Sequence, residues 1–92
     1  MIRVFLSKRF LASLARLGED QKRKAEKVLR ETMSGFGDPH RHAGLGLRKL
    51  TPDYYECRLG VRLRIIFRSR QEGLLAYDIL THDQIRTLLK KG

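Results

Sequence analysis

The stretch YYECRLGVRLRIIF, residues 54–67, constrains the fold of this chain more than any other segment. Its odd positions, Tyr55, Cys57, Leu59, Val61, Leu63, Ile65 and Phe67, are mostly apolar, while even positions carry Glu56, Arg58, Arg62 and Arg64. A period of two over this length means β-strand with one face buried and the other wet. Gly60 sits at the centre and predicts an antiparallel hairpin that turns there. An odd-numbered loop keeps the apolar positions together and sets Arg58 against Arg62 and Glu56 against Arg64. An even-numbered loop would pair polar positions with apolar ones, so that register is disfavoured.

The alternation continues into a third strand, Leu74 to Leu80, reached through the turn Arg70-Gln71-Glu72-Gly73. Leu75, Tyr77 and Ile79 extend the apolar face, and a hairpin centred near Gln71 places Asp78 opposite Arg64. Arg64 is then expected between two carboxylates, Glu56 and Asp78. The N-terminal part has other periods. Ile2, Val4 and Leu6 share one face of a short strand, and Ser7 can cap a helix with Phe10, Leu14 and Leu17 on one side and Leu11 widening the stripe. Gly18 stops that helix. Glu19 and Asp20 suit the positive end of a second, which runs to about Ser34 with Ala25, Val28, Leu29 and Met33 inward. Its run Gln21-Lys22-Arg23-Lys24 reads as a solvated face.

Residues 35–46, GFGDPHRHAGLG, read as a loop from their Gly and Pro content. At the other end, Thr81 and Gln84 have capping-box spacing, and Ile85, Leu88 and Leu89 make the apolar stripe of a short terminal helix. The expected fold is α+β: an N-terminal strand, a helical hairpin, a three-stranded antiparallel meander and a short C-terminal helix, with helices on one sheet face. A chain of 92 residues is expected to form one domain, 1–92.

Charge narrows the partners. Twenty Lys and Arg against ten Asp and Glu give a net charge of +10, which points to a polyanion, nucleic acid first, with an anionic membrane or an acidic protein also satisfying it. The single cysteine, Cys57, cannot form an internal disulfide and fits a reducing compartment. No apolar run approaches the roughly 20 residues that span a bilayer. The opening MIRVFLSKRF alternates and turns basic instead of forming a signal-peptide core, so a cytoplasmic protein is expected.

On the polar sheet face, arginine stands at all three hairpin positions, Arg58, Arg62 and Arg64, and its planar fork suits phosphate oxygens. A solubilising surface would also carry charge, but like charges set opposite each other cost stability unless an anion neutralises them. His82 follows the third strand and is expected at the rim of this face. Arg41, Arg48 and Lys49 are candidates to contact a phosphate backbone, while Phe36 and Tyr54 are candidates for base stacking or for ordinary packing. His40 and His42 form an H-x-H pair without further ligands at sensible spacing, so neither a metal nor another cofactor is expected.

The order of RVFLSKRFLASLARL, LRKL, YYECRL, RLRIIF and ILTHDQI over nearly the whole chain resembles the RelE/ParE superfamily of bacterial toxins from toxin–antitoxin pairs. In its ribonuclease members a basic residue lies in the strand matching YYECRL, an arginine opens the segment matching RIIF, and catalytic or phosphate-contacting groups follow the last strand. Those positions hold Arg58, Arg64 and His82 here. Asp83 stands where tyrosine or arginine is usual, and Glu56 where some members have lysine. The resemblance implies ribosome-dependent cleavage of messenger RNA by 2′-hydroxyl attack, with arrest by a cognate acidic antitoxin in a hetero-oligomer. It implies Arg64 and Arg58 on the phosphate, His82 as acid or base, and Glu56 as base or as a support for Arg64. A non-enzymatic ParE-like inhibitor of DNA gyrase and a non-catalytic RNA-binding module are the alternatives.

Overall fold

The computed structural model describes residues 2–35 and 46–91. Arg41, like Phe36, His40 and His42, lies outside them. The elements are β1 (Val4–Leu6), α1 (Lys8–Ala15), α2 (Glu19–Gly35), β2 (Leu47–Lys49), β3 (Tyr54–Arg58), β4 (Leu63–Arg70), β5 (Gly73–Thr81) and α3 (His82–Lys91). The strands form one five-stranded sheet in the order β1-β5-β4-β3-β2. β3, β4 and β5 are the expected meander. β2 adds antiparallel to β3, and β1 pairs parallel with β5.

Ser7 joins the first strand to the first helix. Its N–H donates to the Ala76 carbonyl at 3.1 Å and its hydroxyl to the Tyr77 carbonyl at 2.5 Å. The same hydroxyl accepts the Phe10 N–H at 3.0 Å as the N-cap of α1. One serine therefore ends β1, starts α1 and fixes both to β5. At the C-terminal end the capping box is complete: Thr81 N–H donates to Gln84 Oε1 at 2.9 Å, and Gln84 N–H to Thr81 Oγ1 at 3.3 Å.

Phe10 of α1 and Ala25 of α2 meet Cys57, Ile65, Phe67, Leu74, Ala76 and Ile79 in the core, so these two helices cover one face of the sheet. Ile66 points the other way by alternation, and it is buried with Ile85 of α3 outside that cluster. Leu11, expected in the core stripe, is 47% exposed.

Two registers differ from expectation. The β3–β4 hairpin keeps its odd-numbered loop but centres on Val61, with Gly60, Val61 and Arg62 between Leu59 and Leu63, whose N–H and carbonyl bond at 2.9 Å. Arg58 therefore opposes Arg64, and Glu56 opposes Ile66. Between β4 and β5, Arg70 pairs with Gly73 across a two-residue turn, and the register shifts at Ile66/Phe67 so that Tyr77 is left without an opposite partner. This bulge switches which residues face the helices: Leu74 and Ala76 on one side of it, Ile79 on the other. Leu75 and Tyr77 are accordingly not on the core face. Asp78 lies opposite Ile66 and Leu80 opposite Arg64, so Asp78 is not directly across from Arg64.

Candidate functional site

The sheet face turned away from α1 and α2 carries its polar residues in rows set by the strand pairing. Arg58 and Arg64 face each other across β3 and β4, and in the next row Arg48 of β2 faces Glu56. Glu56 is the diagonal neighbour of Arg64, and its Oε2 lies 3.3 Å from Arg64 Nε. The pair is largely covered, with side-chain exposures of 18% for Arg64 and 11% for Glu56. Arg48 and Arg58 are exposed. Together with Gly46 these four charged residues line a cleft of about 330 Å³. Three guanidinium groups against one carboxylate leave an excess of two positive charges in it. Opposed arginines repel, so the cleft is built to gain from a bound anion.

A second cleft, of about 410 Å³, lies on the other side of Arg64 and is lined by Val61, Arg62, Arg64, Thr81, His82 and Asp83. The hairpin tip supplies one wall and the start of α3 the other. The capping box holds the backbone from which His82 and Asp83 project. Arg64 thus borders both spaces: Glu56 and Arg58 line one, His82 and Arg62 the other.

Two expected residues are not gathered there. Lys49 pairs with Tyr55 and by alternation points to the opposite face from Arg48. Asp78 instead accepts the Ser13 hydroxyl at 2.6 Å and the Ile79 N–H at 2.7 Å, tying α1 to β5. Arg41 lies outside the described residues. Tyr54, a candidate for base stacking or for packing, has an aromatic partner that the alternation does not predict. Tyr54 and Tyr77 meet edge to face with ring centroids 6.2 Å apart, and Arg68 and Arg9 each lie 5.8 Å from one of the two rings. Tyr77 reaches Tyr54 because of the bulge, for which the apolar pattern gives no signal.

Cys57, on the core side of β3, has its thiol pushed up from 9.0 to about 11, chiefly by burial and further by the carboxylates of Glu31 and Glu56. It is structural in this setting, since a reactive cysteine needs a stabilised thiolate. Among the described residues, no helix is long and apolar enough to cross a membrane, and no cluster of three His, Cys, Asp or Glu is placed to hold a metal ion.

No protein-family model matches this sequence, and no curated protein matches it. Solved structures do match. A chain of the RelB–RelE antitoxin–toxin complex of Methanococcus jannaschii superposes with a TM-score of 0.69 at 15% identity, covering 91% of this chain and 96% of that one. A chain of the RelE–RelB complex of Pyrococcus horikoshii gives 0.68 at 20% identity, covering 87% and 93%. A chain of the DinJ–YafQ toxin–antitoxin complex of Escherichia coli gives 0.63 at 14% identity, covering 91% and 96%. With its single sheet, paired N-terminal helices and terminal helix all in the same order, this chain has the RelE-like α+β fold found in those toxin–antitoxin complexes.

Proposed function

We propose that this chain is the toxin of a toxin–antitoxin pair and that it inhibits translation in the cytoplasm by cutting messenger RNA on the ribosome. The observation that carries the reading is the position of Arg64 between two clefts, one holding a carboxylate and the other an imidazole. Cleavage by 2′-hydroxyl attack needs that division. The 2′-oxygen bonds to phosphorus on one side while the bond to the 5′-oxygen breaks on the other, so the base and the acid must stand apart with the phosphate between them.

In this reading Arg64 and Arg58 hold the phosphate and meet the charge that grows on it in the transition state. Glu56 keeps Arg64 in place through Oε2, and its other oxygen takes the 2′-hydroxyl proton. His82 gives a proton to the departing 5′-oxygen. The products are a 2′,3′-cyclic phosphate and a 5′-hydroxyl. Arg62 and Arg48 sit in the flanking clefts as backbone contacts, and no cofactor enters. Arg41 and Lys49 have no assigned part. The partner is an acidic antitoxin, which complements the net charge of +10.

Purified protein added to translating ribosomes is expected to cut the message, leaving 5′-hydroxyl ends. Arg64→Ala should abolish cutting, and Glu56→Gln should slow it by on the order of 100-fold, the usual size of a general-base contribution. Growth arrest by wild type and Arg64→Ala alike, or a DNA-damage response that precedes any loss of protein synthesis, would overturn the reading.

A further inference from the structure

The outer sheet face carries three aromatic rings beyond the arginine cleft, and the proposed chemistry uses none of them. Strand pairing sets Phe5, Leu75, Arg68 and Tyr54 in one row across β1, β5, β4 and β3. Tyr77 joins this row through the bulge: left without an opposite residue, it meets Tyr54 edge to face at 6.2 Å. A bulge gives up ladder pairing and re-aims a side chain, and here it brings a second tyrosine to this face. The Arg68 guanidinium lies 5.8 Å from the centre of the Tyr54 ring, and that of Arg9 the same distance from Tyr77. Both arginines are exposed, the two tyrosines are half-buried, and Phe5 is 41% exposed. Phe5 and Leu75 also line a cleft of about 360 Å³ with Arg70 and Glu72. Rings for the bases and guanidinium groups for the phosphates are the two parts of a surface that holds a single strand without reading its sequence.

We infer that this row is a sequence-tolerant stacking platform for RNA bases on the 5′ side of the cut. The inference rests on the proposed RNA reading and deepens it. In that reading Glu56 takes the proton of the 2′-hydroxyl, which belongs to the nucleotide 5′ of the cut phosphate. Glu56 stands on β3 between Arg58 and Tyr54, and alternation puts all three on one face. A strand with its phosphate on Arg58 and Arg64 and its 2′-hydroxyl at Glu56 therefore continues toward Tyr54. The stretch of β3 from Arg58 to Tyr54 covers roughly 13 Å at about 3.3 Å per residue, a span that extended RNA crosses within a few nucleotides. The row itself carries positive charge only, with Arg68 inside it and Arg9 against Tyr77, which suits a phosphate chain. Cation–π contacts also fasten a surface that binds nothing, so the test must read the bases and not only stability.

The experiment uses the whole chain and short oligoribonucleotides labelled for fluorescence anisotropy that end in a 3′-phosphate, whose double charge anchors that end on the opposed Arg58 and Arg64. Abasic sugars a few nucleotides from that end keep every phosphate and remove only the stacking faces. They are expected to weaken binding on the order of 10-fold, whichever base they replace. In mirror oligonucleotides with the anchoring phosphate at the 5′ end, the same replacement should leave affinity unchanged. Tyr54→Leu and Tyr77→Leu, folded by circular dichroism, should bind the intact strand as weakly as wild type binds the abasic one, and the abasic strand as well as wild type does. If a tyrosine variant does not fold, the abasic comparison on the unaltered chain decides alone. Equal binding of intact and abasic strands, an equal loss in the mirror series, variants that weaken both strands alike, or no binding at all would overturn the inference. Cutting on ribosomes separates it from the nuclease reading. A tyrosine-dependent preference for intact strands without cutting sinks only the nuclease reading, while cutting with no such preference sinks only the platform.

Discussion

At the scale of single residues, the pair of Arg64 and Glu56 is the part of the site most legible in the sequence. Both lie at even positions of an alternating stretch around Gly60, and any odd-numbered loop brings them to one face. The structure makes them diagonal instead of directly opposed, with Nε and Oε2 at 3.3 Å. Alternation does not place Asp78 correctly, because its position depends on the bulge at Tyr77, which leaves no trace in an apolar pattern. Cys57 yields a prediction from its raised pKa. Between about pH 9 and 11 the folded chain keeps the thiol proton while the unfolded chain has lost it, so unfolding releases a proton and rising pH favours it. The stabilising contribution is complete below pH 9.0 and is lost as pH climbs toward about 11. Urea midpoints measured across that range should fall more steeply for wild type than for Cys57→Ala. Parallel curves would show that the thiol does not titrate this way.

At the scale of elements, alternation predicts the core faces of β3 and β4 but neither the registers nor the face of β5 before its bulge, where Leu74 and Ala76 stand in place of Leu75 and Tyr77. Helix starts were legible because Ser7 and the Thr81/Gln84 pair carry capping chemistry in the residues themselves. Hairpin centres were not, since alternation is indifferent to a shift of two residues: Gly60 enters the turn, yet Val61 is its middle. β2 escaped notice because three residues are too few to show a period. The β4–β5 turn depends on Gly73 in a way that only the three-dimensional packing reveals. Its φ is +152°, and a Cβ added there would lie 2.3 Å from the Arg3 carbonyl oxygen, the same oxygen that accepts the Leu74 N–H at 2.9 Å. Gly73→Ala should therefore cost about 2–4 kcal/mol from backbone strain and overlap, and it should loosen β1 from β5. Thermal unfolding measures the cost, and faster amide exchange at Leu74 would locate it. A variant as stable as wild type would mean that β1 can shift without loss.

At the scale of the whole molecule, the net charge of +10 and the clustered arginines respond to salt in opposite ways. Self-repulsion among twenty cationic side chains weakens the compact state, and added salt screens it, so moderate salt should raise the melting temperature. Binding of single-stranded RNA releases counterions from the phosphates it neutralises, so the same salt should weaken that complex. If Arg58 and Arg64 share one phosphate while Arg48 and Arg62 each neutralise another, the logarithm of affinity should fall against the logarithm of salt with a slope of about −2, at roughly 0.7 per contact on a single strand. Arg48→Ala should make the slope shallower by about 0.7, whereas Lys49→Ala, on the other face of the sheet, should leave it unchanged. Equal losses from both substitutions would mean that RNA senses the total charge of the molecule and not the arginine rows of one face. The contrast between these two exposed cations, both on the sheet and differing in the face they occupy, tests whether strand alternation places the anion.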